Sequence, residues 1–598
     1  MDTIDPHGWL RDVLRPLKPA FGEVLVMALF VNLLALAIPV FVLQVYDRVV
    51  FHAGLSTLQG LVVGMAVVLV FDYVLRQART RLLQTVALQI DVAVGRLLFD
   101  KVTSLPLRIL ESRPGAYWQA LFRDLDTVRN TASGATALLI ADLPFAVLFL
   151  GLTFVIATPV AWVLLLILPL FLFVAWRSAE ALSAAHRGER ESVLARDGLL
   201  AELIAGRTTI KALALDRAIR PLWEDRHAEA IERAALRGAK ADSYANLGTT
   251  LTLLTTVALT SVGALAIINQ QLTIGALIAT NMLSGRLLGP FNQLVGSWRA
   301  YAACRQAIER LGQVFRLAGE RESSAIELRR PQGELTLEQV GFSYDEDGRP
   351  VLDAVSVTFP VGAVHALIGR NGSGKSTLLK LAQGLYPPAS GRVLLDGADI
   401  AQFTRAELAR WIGYVPQECV LFAGSVRDNV AQRLPEATDD DILAAAAAAG
   451  VHDFVIDLPD GYATDIGEAG RRLSAGQRQR LVIARALVGA PPVVLLDEPS
   501  SSLDRQAELE LRDTLAALGR ERTVIVVTHS PILLAACTDV LALDRGRVAL
   551  AGRAAEVLPH LWTGGRASPS GGRTQEPPPG RAAASEIAAA AAGRGGAR

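Results

Sequence analysis

Gly369-Arg-Asn-Gly-Ser-Gly-Lys-Ser-Thr377 stands between a short apolar run, Val364-His-Ala-Leu-Ile368, and Leu378-Leu379, which open a helical pattern. Strand, glycine loop and helix form the context that a phosphate-binding loop requires. Glycines let the backbone approach phosphate oxygens, and the amides from about Gly372 to Thr377 point at an anion from a helix N-terminus. The expected contacts are Gly369, Asn371, Gly372, Ser373, Gly374, Lys375, Ser376 and Thr377. Lys375 is placed to reach the β- and γ-phosphates, and the Ser376 hydroxyl to complete the shell of Mg²⁺. The reading calls for ATP with Mg²⁺ as cofactors.

Outward from this loop, Gln417, Leu473-Ser-Ala-Gly-Gln477, Val493-Val-Leu-Leu-Asp-Glu498 and His529 follow in order. The apolar run 493–496 reads as a central parallel strand buried on both faces. Asp497 at its end is expected to act on Mg²⁺, directly or through water, and Glu498 to polarise the attacking water. An Asp-Glu pair by itself is an ordinary solvated strand end; downstream of a phosphate loop it takes a catalytic meaning.

With these residues in place, residues 334–557 resemble an ATP-binding cassette domain over its whole length. The resemblance implies roles residue by residue. Tyr344, in Phe342-Ser-Tyr344, matches the aromatic residue that stacks on adenine. Gln417, in Tyr414-Val-Pro-Gln417, matches the loop that reports the γ-phosphate and Mg²⁺ to the membrane half. Ser474, Ala475, Gly476 and Gln477 match the signature that closes on the ATP of a partner subunit. Asp504, in Ser501-Ser-Leu-Asp504, matches the loop crossing the dimer interface, and His529 the histidine that contacts the γ-phosphate. Two departures, Ala475 for the usual glycine and Ser502 for a common alanine, remove no catalytic group. Both composite sites of a homodimer are therefore expected to be competent. Asp465-Ile-Gly-Glu468-Ala-Gly470 resembles a segment of exporters rather than importers.

A chain of 598 residues is too long for one core. Its 51% hydrophobic content averages two unlike halves, and a net charge of +0 implies no bulk attraction to nucleic acid. Cys304, Cys419 and Cys537 are far apart, with no metal spacing, and read as reduced thiols. No cleavable signal is visible, because the apolar stretch after Lys18 is too long for one. Uncharged runs cover residues 24–46, 53–71, 143–176 and 243–285. A bilayer crossing takes about 20 apolar residues, so the last two runs hold two spans each. Six spans are predicted, at about 22–46, 54–75, 136–157, 160–180, 243–268 and 272–295, within a membrane domain 21–320. Arginine is concentrated in the first twenty residues and in 76–129 and 177–240, while the connections near Thr158 and Asn269 carry none. Both termini and the ATPase half are therefore expected on the cytoplasmic side. The two basic stretches read as helices leaving the membrane, since structureless connections of that length are unusual. Asp142, near the start of the third span, is either a functional group or a paired residue at the membrane boundary.

Several strings in the membrane half add a second resemblance. These are Ile38-Pro39 with Val45-Tyr-Asp-Arg-Val49, Leu105-Pro106 with Glu111-Ser-Arg-Pro114, Phe122-Arg-Asp-Leu-Asp-Thr-Val-Arg129, Asp142-Leu-Pro-Phe145, and Gly275-Ala-Leu-Ile-Ala279 with Met282-Leu-Ser-Gly-Arg286 and Pro290. In this order they resemble the inner-membrane ATPase-permeases of type I secretion systems. That resemblance implies a homodimer in the bacterial inner membrane, a periplasmic membrane-fusion adaptor, an outer-membrane channel and a secreted polypeptide substrate, with no nucleic acid partner. Some relatives carry an N-terminal peptidase-like domain of about a hundred residues, for which the short segment 1–20 leaves no room.

The expected fold is thus a membrane all-α domain, six transmembrane helices with long cytoplasmic extensions, followed by an α/β P-loop NTPase domain at 334–560. The Gly-, Ala-, Arg-, Ser- and Pro-rich segment 566–598 is expected to be a disordered tail. The alternative within transport is an exporter of lipids or small hydrophobic molecules. A soluble ATPase of the same superfamily is incompatible with six spans.

Overall fold

The computed structural model describes residues 8–50, 53–326, 329–345 and 348–563. The predicted tail lies outside the described residues, as do the first seven residues of the N-terminal segment. The chain divides into two compact units, Met1–Glu320 and Arg321–Arg598.

Among its described residues the first unit is built from helices alone. These are α1 (Lys18–Ala35), α2 (Ala37–Gln44), α3 (Leu55–Thr103), α4 (Gly115–Ser133), α5 (Ala135–Asp142), α6 (Ala146–Ile156), α7 (Thr158–Ala205), α8 (Asp216–Ile268) and α9 (Ile274–Arg316), with shorter turns between them. Helix α3 has 49 residues and α8 has 53. At about 1.5 Å per residue each is more than twice as long as a bilayer core of about 30 Å is thick. The arginine-rich stretches are therefore continuations of spans, as their helical pattern predicts. Among the described residues five helical stretches are long and apolar enough to cross a membrane: Gly8–Val50, Leu55–Thr103, Gly115–Ile156, Thr158–Ala205 and Asp216–Ile268. The sixth predicted span falls on α9, whose N-terminal half carries Asn281 and Arg286. On α3, Val63, Val70 and Phe71 are 66%, 63% and 59% exposed, a pattern suited to lipid rather than to water.

The breaks between spans have local causes. Ala157 leaves helical geometry (φ −149°, ψ 67°) just before Thr158-Pro159, and Gln270 turns at φ 58° after α8. Thr273 then caps α9, its Oγ1 accepting from the Ala276 amide at 3.1 Å. A π-helical turn, Val45–Val50, carries the first helical stretch past the predicted end of its span near residue 46. Asp47 on that turn accepts from Thr273 Oγ1 at 2.7 Å and from the Gly275 amide at 3.1 Å. A Cβ on Gly275 would stand 2.5 Å from Asp47 Oδ1 and 2.9 Å from the Leu43 carbonyl, so only glycine allows this approach. Pro144 interrupts the third span, separating α5 from α6 by the single turn Leu143–Phe145.

Past the apolar windows, Leu98, Leu105, Leu121, Leu125 and Val314 form one buried cluster. Beside it Asp124, its side chain 5% exposed, accepts two bonds from Arg310, at 2.6 and 2.7 Å, and one from Arg190 at 3.2 Å. Asp124→Ala leaves two guanidinium groups without their carboxylate. We expect it to destabilise this unit by about 3–5 kcal/mol, read as a lowered melting temperature of the detergent-solubilised protein.

Among its described residues the second unit carries two sheets. A four-stranded antiparallel sheet has the order β2-β1-β4-β5, from β1 (Leu335–Phe342), β2 (Leu352–Phe359), β4 (Ser390–Leu395) and β5 (Ala398–Asp399). A six-stranded sheet has the order β10-β9-β3-β8-β7-β6. It comprises β3 (Ala363–Gly369), β6 (Ile412–Val415), β7 (Val493–Asp497), β8 (Thr523–Val527), β9 (Asp539–Asp544) and β10 (Arg547–Arg553). Its strands are parallel except at the edge, where β10 pairs antiparallel with β9. Every residue of β7 and β8 is buried, which is why both read as continuous apolar runs.

Candidate nucleotide site

The site lies at the C-terminal ends of β3 and β7, which are separated in the sheet by β8 alone. From β3 the chain passes through the glycine loop into α10 (Lys375–Ala382). Gly374 precedes that helix at φ 99°, and a Cβ there would meet Leu352 Cδ2 at 2.7 Å. Backbone conformation and packing therefore both demand glycine at this position.

Lys375 is buried, and its Nζ donates to the carbonyls of Gly369 at 2.8 Å and Arg370 at 3.2 Å. Burial pushes its ammonium below the ordinary lysine value, while Glu498 and Asp497 pull it back up. Asp497 closes β7 at 3% exposure. Burial raises its carboxyl above the usual range, opposed by a hydrogen bond from Ser376 and by Lys375 and Lys380. Glu498 sits at φ 50°, uncommon for any residue with a side chain, held by its amide bond to the Val527 carbonyl at 2.9 Å. Burial raises its carboxyl too; His529 opposes this and Asp497 adds to it. The His529 Nε2 lies 3.6 Å from Glu498 Oε1.

A cleft of about 500 Å³ gathers Tyr344, Asn371, Gly372, Gly374, Lys375, Ser376, Thr377, Gln417, Asp497 and Glu498. Residues predicted from motifs more than a hundred positions apart thus share one cavity. Tyr344 reaches Thr377, oxygen to oxygen at 3.1 Å, and its ring packs edge-on against Phe342 and Tyr386. Buried Tyr386 supports Tyr344 from below, and Val351 and Val527 also line the cleft. No motif marks these three; only the sheet order and the return of β2 bring them here.

The signature residues are not in this cleft. Ser474 caps α11 (Ala475–Leu487) in a reciprocal box: the Gln477 amide donates to Ser474 Oγ at 3.2 Å, and the Ser474 amide to Gln477 Oε1 at 2.9 Å. Asp504 likewise caps α12 (Arg505–Leu518), accepting from the Ala507 amide at 2.8 Å. Ser474, Ala475 and Asp504 are exposed.

The donor set suits a nucleotide-borne Mg²⁺. The Ser376 hydroxyl, the Gln417 amide and the Asp497 carboxylate are oxygen donors on one cavity, and Ser373 Oγ is buried with no protein partner. Mg²⁺ is typically held by one or two carboxylates together with phosphate oxygens rather than by an all-protein cage. Among the described residues no group of three or more His, Cys, Asp or Glu side chains forms such a cage.

A helical membrane unit joined to a P-loop ATPase unit defines an ATP-driven membrane transporter. Comparison with known proteins places it further. Residues 21–291 match the ABC transporter transmembrane region and residues 352–501 the ABC transporter model. The chain is 33% identical over 553 residues to the exotoxin translocation ATP-binding protein PaxB of Pasteurella aerogenes, covering 92% of this chain and 77% of that one. It is 32% identical over 555 residues to the alpha-hemolysin translocation ATP-binding protein HlyB of Escherichia coli, covering 92% and 78%. The solved structure of a bacterial Atm1-family ABC exporter with ATP bound superposes with a TM-score of 0.81 at 24% identity, over 92% of this chain and 100% of that one. The chain belongs to the ABC exporters, in the branch of the type I secretion ATPases. It is a multi-pass membrane protein that binds nucleotide and couples ATP hydrolysis to transport.

Proposed function

We propose that the chain exports a polypeptide of the RTX toxin, protease or adhesin kind, as the ATP-hydrolysing component of a type I secretion system. The observation that carries this reading is similarity running through both halves, over 92% of the chain, to proteins named for exotoxin and haemolysin translocation. The strings around Asp47, Asp124 and Asp142, which first suggested polypeptide secretion, support it. The working unit is a homodimer in the bacterial inner membrane, with the ATPase halves cytoplasmic. A periplasmic membrane-fusion adaptor and an outer-membrane channel continue the path. Exposed Ser474, Ala475 and Asp504 supply the surface that meets the nucleotide of a second copy.

In the site, Gly372 to Thr377 and Lys375 hold the phosphates, Tyr344 faces the adenine, and Ser376, Gln417 and Asp497 hold Mg²⁺. The bound ion neutralises phosphate charge. Glu498 takes a proton from the attacking water, and His529 orients the γ-phosphate. ATP favours the closed arrangement of two cassettes and hydrolysis releases it, so the cycle is a population shift driven by differential binding.

Burial raises the Glu498 carboxyl, and the base works deprotonated. Hydrolysis is therefore expected to rise with pH through a midpoint above the ordinary glutamate value near 4.5 and then to level. A pH–rate profile of the solubilised enzyme checks this, and a midpoint at or below the ordinary value counts against the assignment.

Comparing extracellular proteins with and without the gene tests the cargo. Loss of one large secreted protein is expected; an unchanged set would favour lipid or small-molecule export.

A further inference from the structure

Asp142 closes α5 one residue before the Leu143–Phe145 turn. Its Oδ1 accepts from Arg79 Nη1 of α3 at 2.6 Å and from Asn32 Nδ2 of α1 at 2.8 Å. The Arg79 side chain is 5% exposed and that of Asp142 27%. Asn32 also donates to the Ala28 carbonyl at 2.8 Å. The group is embedded among Val24, Ala28, Leu83 and Ala141. Arg79 Nε is buried with no partner among the described residues, where Arg79 is held through its bond to Asp142.

An ion pair with one partner buried and the other half-buried in apolar surroundings is a poor route to stability, because well-packed apolar residues of similar volume often serve as well or better. Such a pair does specify geometry: Asp142 satisfies both donors only while α1, α3 and α5 keep one register. Its place in the third span gives that register a use. Pro144 divides the span, α5 packing against α1 and α4 and α6 against α7, with α9 beside both. The two halves of one span thus share α9 but otherwise pack on different helices, joined at a turn where a rearrangement can be absorbed.

We propose that Asp142, held by Arg79 and Asn32, is a positioning residue for transport: it clamps the inner half of the interrupted span to α1 and α3, so that nucleotide-driven rearrangement is delivered to α6 instead of being lost at Pro144. The proposal rests on the chain being an ATP-driven exporter and is indifferent to its cargo.

The test uses the full chain in lipid nanodiscs and follows amide exchange of residues 146–156 with and without Mg-ATP and vanadate. The wild type is expected to change exchange there about tenfold on nucleotide trapping, as a coupled local opening would. In Asp142→Asn, and in the apolar double variant Arg79→Met with Asp142→Leu, that response should fall below about twofold, with ATP hydrolysis within about twofold of wild type. The double variant keeps a packed, neutral cluster, so its melting temperature serves as the control for folding. A wild-type exchange response in the double variant would overturn the proposal. So would absence of the response in the wild type, or loss of hydrolysis and of folded protein together in both variants, which would make the pair merely structural. No cargo enters this measurement, so its outcome is independent of the comparison of secreted proteins.

Discussion

ATP turnover by Glu498→Gln is expected to fall about 100- to 10,000-fold, the range for loss of a general base, with nucleotide binding retained. The amide has the shape of the carboxylate and can occupy the same backbone, which the Val527 carbonyl fixes at φ 50°. It carries no charge, accepts no proton from water at neutral pH, and gives His529, 3.6 Å away, a neutral neighbour. Because Lys375, Ser376 and Asp497 stay in place, the phosphates keep their contacts. Phosphate release measures the first effect and equilibrium titration with a fluorescent ATP analogue the second. Hydrolysis near the wild-type rate would sink the assignment of Glu498.

Lys375→Met acts on the other side of the same cavity and should weaken ATP binding by about two to three orders of magnitude. The side chain keeps its length and the start of α10, so the fold is expected to survive. What goes is a buried ammonium flanked by Asp497 and Glu498. A cavity that must accept a polyanion then presents two carboxylates without the ammonium that favours the charged form of both. Removing one member of a buried, hydrogen-bonded charge pair costs about 2–5 kcal/mol, and about 1.4 kcal/mol is a factor of ten. Titration in the absence of hydrolysis gives the number; an affinity within about threefold of wild type would contradict the role given to Lys375.

Much of this was legible before any coordinates. Val493-Val-Leu-Leu496 is apolar at every position because β7 is buried on both faces, and Val364–Ile368 belongs to the adjacent central region of the same sheet. The phosphate loop reads from sequence because its chemistry is local: glycines, lysine and serine act within nine residues. The spans read because a bilayer sets a length and a composition. The tail and the first seven residues lie outside what the structure describes. The π-helical end of the first span and the four-stranded antiparallel sheet were not legible. Val45–Val50 is stabilised by a partner more than two hundred residues away, and β1, β2 and β4 pair across loops that hide their register.

The membrane strings show the division best. Each is recognisable as a string, and three of them hold an aspartate whose work the string does not reveal. Asp47 meets Thr273 across 226 positions, Asp124 meets Arg310 across 186, and Asp142 meets Asn32 across 110. By itself the sequence marked the long apolar helical stretches, the glycine loop and the polar residues that gather in one cleft with it, because burial length, backbone freedom and side-chain chemistry are written residue by residue. Tertiary structure alone decided which charges meet. Unlike the pairs four residues apart on one helix, such as Arg76 with Asp72, these contacts exist only when helices far apart in the chain come within about 3 Å, and no local pattern encodes that distance.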